Sequence, residues 1–346
     1  MMEEAGRQGK PIEQPGTSRR SPLRYLWTPD SRALLALVFV LAIGAIFNAD
    51  HTFFRIGTHR DTLRESSVYG ILACGMTLVI IGGGIDLSVG SVLAFTGVVF
   101  AISSIHWGWP AYLSIPLALG AGTACGIISG ILVTFFDIQP FIATLAMMVF
   151  ARGLGKMVSG EMKISTTIQA PDGSFHDLPL PGIFHAIDSR VLGGNLSTVT
   201  IIFVVCAIVC WIFLAGHRWG RELYAIGGNE EAARLAGVKV KSVKLFSYAA
   251  AGLLTGLAGI CEAAQLQQGD PDAGLGYELT AIAIVVVGGT SLMGGKGGMG
   301  LTILGMLTIG YLDKILSINA VPEPARMMLT GVIIVMAVLA QGRRKA

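Results

Sequence analysis

Residues 197–216, STVTIIFVVCAIVCWIFLAG, form an apolar run without a single charged side chain. A helix of about 20 residues is what a hydrocarbon core about 30 Å thick demands. In lipid every backbone polar group must pair inside the structure, so spanning segments are helices or closed barrels. Barrel strands alternate over roughly 10 residues, whereas the runs here are continuous. Ten such segments can be read along the chain: 33–49, 66–83, 87–105, 111–135, 140–158, 197–216, 243–264, 277–290, 298–316 and 325–341. Only 14% of the 346 residues are charged and 53% are hydrophobic. A soluble domain carries about 25% charge, so this chain cannot cover a water-facing surface. The expected fold class is an all-α membrane protein of about ten transmembrane helices.

Orientation follows from the distribution of Lys and Arg, which accumulate in cytoplasmic loops. With the N-terminus inside, 16 Lys/Arg fall in the N-terminal tail, 217–244, Lys296 and the C-terminal tail. Arg55, Arg60, Arg64, Lys163 and Arg190 fall outside, and Arg152, Lys156, Lys314 and Arg326 sit near outer helix ends. Both termini are therefore expected in the cytoplasm. Residues 1–32 are polar, with no cleavage site after the first apolar run, and read as a disordered cytoplasmic tail rather than a signal peptide. The membrane domain spans 33–341, with an irregular external loop at 159–196, an internal segment at 217–242 and a cytoplasmic tail at 342–346. Trp107, Trp109 and Tyr112 suit one interface; Tyr25, Trp27 and Trp219 suit the other.

The 46 glycines point to close helix crossings and broken helices. The spacings Gly122-x-x-x-Gly126, Gly126-x-x-x-Gly130 and Gly252-x-x-x-Gly256 suggest tight crossings, within the subunit or between subunits. In IGGGIDLSVGS, residues 81–91, Gly82, Gly83 and Gly84 end one run and Asp86 opens the next. Asp86 and Ser88 can line a pathway, with Ser91 just beyond. Equally, Asp86 can cap the following helix by accepting the N–H of residue 88 or 89. A loose internal similarity links YGILACGMTLVIIGGGIDLSVGSVLAF with YELTAIAIVVVGGTSLMGGKGGMGLTI, two apolar runs that break at glycines and resume. Paired interruptions of this kind mark transport pathways, so Gly-interrupted helices lining a central pathway are expected.

In the internal segment, Asn229 suits an N-cap, Glu230 and Glu231 a first turn, and Gly237 a helix end. A helix over 230–236 would be about 10 Å long, too short to stand alone. It is either an ordinary surface helix or a docking element offering Ala232, Ala233, Leu235 and Ala236. Of the remaining intramembrane charges, Glu262, Asp313 and Lys314 lie near outer helix ends and are expected to snorkel, with Lys314 lining an outer vestibule as the lesser alternative. Cys206 and Cys210 share a helix face without further Cys or His ligands nearby, so packing is preferred to a metal or redox pair. GKGGMG (295–300) lacks the βαβ setting of a dinucleotide site. GTSLMGGKG fails as a phosphate loop because Gly297 follows Lys296. Neither an ATP site nor a catalytic set is visible, so any ATP must be used by a partner.

GGGIDLSVGS, RELYAIGGNEEAARLAGVKVKSVK, IAIVVVGGTSLMGGKGGMGLTILG and QPFIATLAMMVFARGLG together resemble the permease subunits of ribose-type, monosaccharide-importing ABC transporters. The resemblance covers most of residues 66–316. It implies a bacterial inner-membrane protein that is not an enzyme, carries no cofactor and binds no nucleic acid. It implies that Gly228, Asn229, Glu230, Ala232, Ala233, Arg234 and Gly237 dock on a cytoplasmic ATPase subunit. A second permease subunit would complete the pathway, and a periplasmic sugar-binding protein would deliver substrate. Branched-chain amino-acid permeases share this layout and are the nearest alternative. An ion-coupled transporter would want buried mid-helix carboxylates, for which only Asp86 qualifies.

Overall fold

The computed structural model describes residues 29–169 and 174–342. Tyr25, Trp27 and the rest of the tail through residue 28, and residues 343–346, lie outside the described residues. The chain folds into α1 (Pro29–Ile46), α2 (Ile56–Ile81), α3 (Val89–Ala101), α4 (Ala111–Thr134), α5 (Pro140–Ser159), α6 (Gly182–Asp188) and α7 (Thr198–Gly216). These are followed by α8 (Arg218–Gly228), α9 (Glu230–Leu235), α10 (Val240–Leu266), α11 (Tyr277–Gly288), α12 (Met299–Ile318) and α13 (Glu323–Gly342). A π-helical turn, Ile102–His106, extends α3.

Among the described residues, seven helices are long and apolar enough to cross a membrane: α2, α3 with its π turn, α4, α5, α7, α10 and α12. The ten expected spans are thus met at seven positions by length and composition. α11 departs most clearly. Its 12 residues cover about 18 Å at 1.5 Å per residue, little more than half a bilayer core. Left-handed glycines stop it at both ends, Gly276 at φ 80° and Gly289 at φ 110°.

α10 is the axis of the bundle and packs along α4, α2 and α3. Its crossing with α4 brings backbone against backbone. A Cβ on Gly126 would lie 3.0 Å from the Gly252 Cα, and one on Gly122 would lie 2.9 Å from the Gly256 Cα. The small-residue spacings therefore serve internal packing. α2 and α3 are 83% buried along their spans, against 28% for α5. α5 and α7 turn Phe141, Val149, Phe150, Val209 and Trp211 outward, as lipid-facing helices do. Trp107, Trp109 and Tyr112 are exposed at one end. All five cysteines are free and buried.

The segment 159–196 is more ordered than expected. β1 (Thr167–Gln169) pairs antiparallel with β2 (Phe175–Asp177), and β3 (Arg190–Val191) with β4 (Leu196–Ser197). Between them α6 inserts Phe184, fully buried and stacked on Phe100 at 4.9 Å. One buried aromatic and the Arg64–Asp188 ion pair anchor a stretch whose polar composition reads as loop.

Candidate transport pathway and coupling segment

Three glycine-containing turns meet at one end of the bundle. α2 ends at Ile81, and Gly82, Gly83 and Gly84 turn the chain, with Gly83 at φ 79°. Gly295, in the turn between α11 and α12, donates its N–H to the Ile81 carbonyl at 3.0 Å. Gly227, in the last turn of α8, is wedged between them. A Cβ there would overlap the Ile81 carbonyl oxygen and the Gly295 nitrogen. Gly294, at φ 81°, is held against both Gly227 and Gly83. Tyr224 donates its hydroxyl to the Gly297 carbonyl at 3.0 Å. The internal segment thus touches both helix interruptions without a side chain between them.

α8 is absent from the sequence expectation, although its signal was present. Gly220, Leu223 and Ile226 are buried at a helical spacing of three, the stripe that folds an amphipathic helix onto a bundle. α9 follows directly, one residue shorter than expected, with Ala236 as its C-cap. The Asn229 side chain accepts the Ala232 N–H at 2.9 Å. Glu230 pairs with Lys244 of α10 at 2.5 Å and Arg234 lies 3.6 Å from Glu230. Ala232, Leu235 and Ala236 are exposed, Leu235 at 85%, whereas Ala233 is buried against the chain's own core. Ala233 is therefore not available for docking. Gly228 is exposed and a Cβ would meet nothing there. The close-packed glycine is its neighbour, Gly227. Gly237 closes the turn at φ 82°.

Beyond Gly84 the chain climbs back into the bundle. Gly84 itself lies under Tyr248 of α10, where a Cβ would come 2.5 Å from the phenol oxygen. Asp86 is 2% exposed. Its Oδ1 accepts the Ser88 N–H at 2.9 Å and the Ser88 hydroxyl at 2.6 Å. This local turn delivers the chain into α3, and it satisfies a carboxylate that would otherwise be costly at this depth. Ser91 is buried in the first turn of α3.

A second re-entrant stretch enters from the opposite end. After α10, residues 267–276 run back along α3, with Gly269 against Val98 and Ala101 and Gly274 against Gly90. Eight to eleven residues of α3 correspond to a descent of about 12–16 Å. Arg152 of α5 satisfies this exposed backbone, its Nη1 donating to the Pro271 and Ala273 carbonyls at 2.6 and 2.7 Å. Lys156 and Lys163 pair with Asp272 and Asp270 at 2.8 and 3.0 Å. The Lys156 hydrogen bond holds the Asp272 carboxyl below the usual carboxylate range. α11 then starts inside the bundle, where its half length suffices.

Where α11 begins, Tyr277 meets Tyr69 of α2, ring centroids 4.5 Å apart. These are the first residues of the two internally similar stretches. Above them a cavity of about 200 Å³ opens between α2, α11, α12 and α13. The charges that sequence reading sends snorkelling are instead paired across helices here. Lys314 binds Glu65 at 2.9 Å, Asp313 binds Arg326 at 3.0 Å, and Glu262 accepts the Tyr277 hydroxyl at 3.0 Å. Asp313 and Lys314, adjacent in sequence, reach different partners.

Long apolar helices, two re-entrant stretches that start helices inside the bundle, and an exposed turn tied to both interruptions define a polytopic helical membrane transport protein. Residues 60–338 match the family described as branched-chain amino acid transport system, permease component, and the chain belongs to that family. It is 39% identical over 319 residues to the ribose import permease protein RbsC of Escherichia coli K12, covering 92% of this chain and 95% of that one. It is 34% identical to the fructose import permease protein FruG of Bifidobacterium longum, covering 90% of each chain. It is 33% identical to the galactofuranose transporter permease protein YtfT of Escherichia coli K12, covering 93% and 92%. The likeness to ribose-type permeases carried by the motifs thus extends over nine-tenths of the chain. These relatives are transporter permease subunits, not enzymes. No solved structure matches the chain.

Proposed function

We propose that this protein is the membrane-spanning subunit of an ATP-driven importer of a small neutral sugar, seated in a bacterial inner membrane with both termini in the cytoplasm. The membrane domain, 33–341, crosses ten times: α1, α13 and the re-entrant stretch 267–276 continued by the half-length α11 join the seven long spans. The interruptions at Gly82, Gly83, Gly84, Asp86, Ser88 and Ser91 and at 289–298 shape the inner part of the pathway. A second, identical or similar permease subunit completes it. A cytoplasmic ATPase docks on 217–242 through Asn229, Glu230, Ala232 and Arg234, with the exposed Gly228 beside them and Gly237 permitting the turn, and hydrolyses the ATP. A periplasmic sugar-binding protein delivers substrate to the outer face, where 159–196 is presented. Residues 1–32 and 342–346 are cytoplasmic tails.

One observation carries the reading: Gly227 packs backbone to backbone against Ile81 and Gly294–Gly295. A displacement of α8 and α9 by a motor is transmitted to both interruptions with no side chain to absorb it. Leu235, exposed at 85% on a six-residue helix, provides an apolar contact for that motor, because short helices in grooves are held by such anchors. The sugar class is supported by full-length relatives whose names specify ribose, fructose and galactofuranose. Replacing Glu230 and Arg234 together with Ala is expected to abolish uptake and ATPase recruitment while the protein stays inserted. Uptake and recruitment at wild-type levels in that variant would remove the coupling role. Leucine uptake in place of sugar uptake would move the substrate to the branched-chain amino-acid class.

A further inference from the structure

We infer that the cavity between α2, α11, α12 and α13 is the site where this chain itself receives the sugar, seated on the Tyr69–Tyr277 pair beneath the Glu65–Lys314 and Asp313–Arg326 pairs. The inference rests on the importer reading and adds the residues of a substrate site. The cavity measures about 200 Å³. A single water needs only about 10–15 Å³ of such space, so the cavity admits a solute many waters in size and suits a single sugar ring. Tyr69 and Tyr277 give it an aromatic side, their rings in contact at 4.5 Å, with Ile284 and Met306 lining it deeper. The C–H face of a sugar ring packs on such surfaces. Its walls carry the carboxylates of Glu65, Asp313 and Glu323 and the guanidinium of Arg326, with Asp313 paired to Arg326 at 3.0 Å and Glu65 to Lys314 at 2.9 Å. Sugar hydroxyls both donate and accept, so they can bridge such groups through charge-assisted hydrogen bonds. A site whose polar groups already satisfy one another binds a sugar only loosely, as a transit point requires.

The position suits transit. The tyrosine pair lies at the start of α11, and below it Thr77 of α2 and Thr302 of α12 share a hydrogen bond of 2.7 Å. Below that, Gly295 is bonded to Ile81. The cavity is therefore open at the end of the Asp313 and Glu65 pairs and closed beneath by the same two helices that the coupling segment contacts. Sequence reading placed the pathway at the glycine interruptions, with Lys314 at an outer vestibule as the lesser alternative. The outer site was missed because Tyr69 and Tyr277 are 208 positions apart and look like core aromatics.

The test uses the complete importer, this chain with its ATPase and binding protein, in proteoliposomes with radiolabelled D-ribose, D-galactose and D-fructose. Tyr69→Ala and Tyr277→Ala are expected to lower uptake about 10- to 100-fold, the size expected for losing a substrate-contacting aromatic. Tyr69→Phe should retain most uptake because the ring face persists. In a second arm, Thr280→Cys at the cavity wall is labelled from outside by a charged methanethiosulfonate. Sugar-loaded binding protein should slow that labelling about threefold or more, while lipid-facing Val209→Cys stays unaffected. This arm stands even if the alanine variants fail to insert. Wild-type uptake in both alanine variants, or labelling of Thr280→Cys indifferent to sugar, overturns the site while leaving the importer intact. Absence of ATP-dependent uptake of all three sugars by the unmodified protein overturns the importer reading, and this inference with it.

Discussion

The two ends of the bundle are joined by opposite means. At the coupling end, Gly83, Gly227, Gly294 and Gly295 bring three turns together backbone to backbone, with the Tyr224 hydroxyl on the Gly297 carbonyl as an added tie. At the other end, long side chains span the gaps: Arg64–Asp188, Lys314–Glu65, Arg326–Asp313, Lys156–Asp272 and Arg190–Asp61. Backbone contact is stiff and has two states, in register or displaced. Side-chain pairs are compliant and can re-form around a passing solute. The proposed importer, which would receive force at one end and substrate at the other, is served by this division.

The sharpest way to break the comparison is Gly227→Val. Its side chain would overlap the Ile81 carbonyl and the Gly295 nitrogen, and overpacking of this kind costs about 1–3 kcal/mol or more. Uptake in proteoliposomes should fall at least about 100-fold, whereas Gly228→Ala, in open space, should transport normally. Next in size is Gly126→Val at the α4–α10 crossing, where even a Cβ would lie 3.0 Å from the Gly252 Cα, so the helices must move apart. It should lower the detergent-solubilised melting temperature by several degrees, reflecting a loss of about 1–3 kcal/mol. Asp86→Ala removes two hydrogen bonds to Ser88 and should cost about 1–3 kcal/mol. Asp86→Asn, which keeps the acceptor, should recover most of it in the same melting assay. The smallest effect is expected at the other end. Asp61→Asn breaks an ion pair whose side chains are 39% and 43% exposed, and such pairs are worth about 1 kcal/mol or less. A loss there as large as that of Gly126→Val would erase the distinction between the ends.

Parts of this arrangement were legible before folding. Asn229, Glu230 and Gly237 announced α9 because caps and helix ends act over three or four residues. Asp86 read as the cap of the next helix; it does accept the Ser88 N–H, but the residue at the N-cap of α3 is Ser88. The α4–α10 glycines were legible as a crossing, although their partners were not. Gly227 was passed over for Gly228, since neither carries a side chain and only the approach of Ile81 and Gly295 tells them apart. Arg152 read as a charge near a helix end. Its task, holding the Pro271 and Ala273 carbonyls, exists only because a distant loop re-enters beside it.

By itself the sequence determined the solvent, the helical class, the interruptions and the short capped helix, because hydropathy, glycine content and capping are properties of neighbours along the chain. It also determined the family, through motifs kept in order. The tertiary structure alone decided that α11 is half a span, that Glu262, Asp313 and Lys314 are paired rather than snorkelling, and that Tyr69 meets Tyr277. Those outcomes depend on which helices lie side by side. Residues far apart in sequence carry no local mark of the partner against which burial and hydrogen bonding will place them.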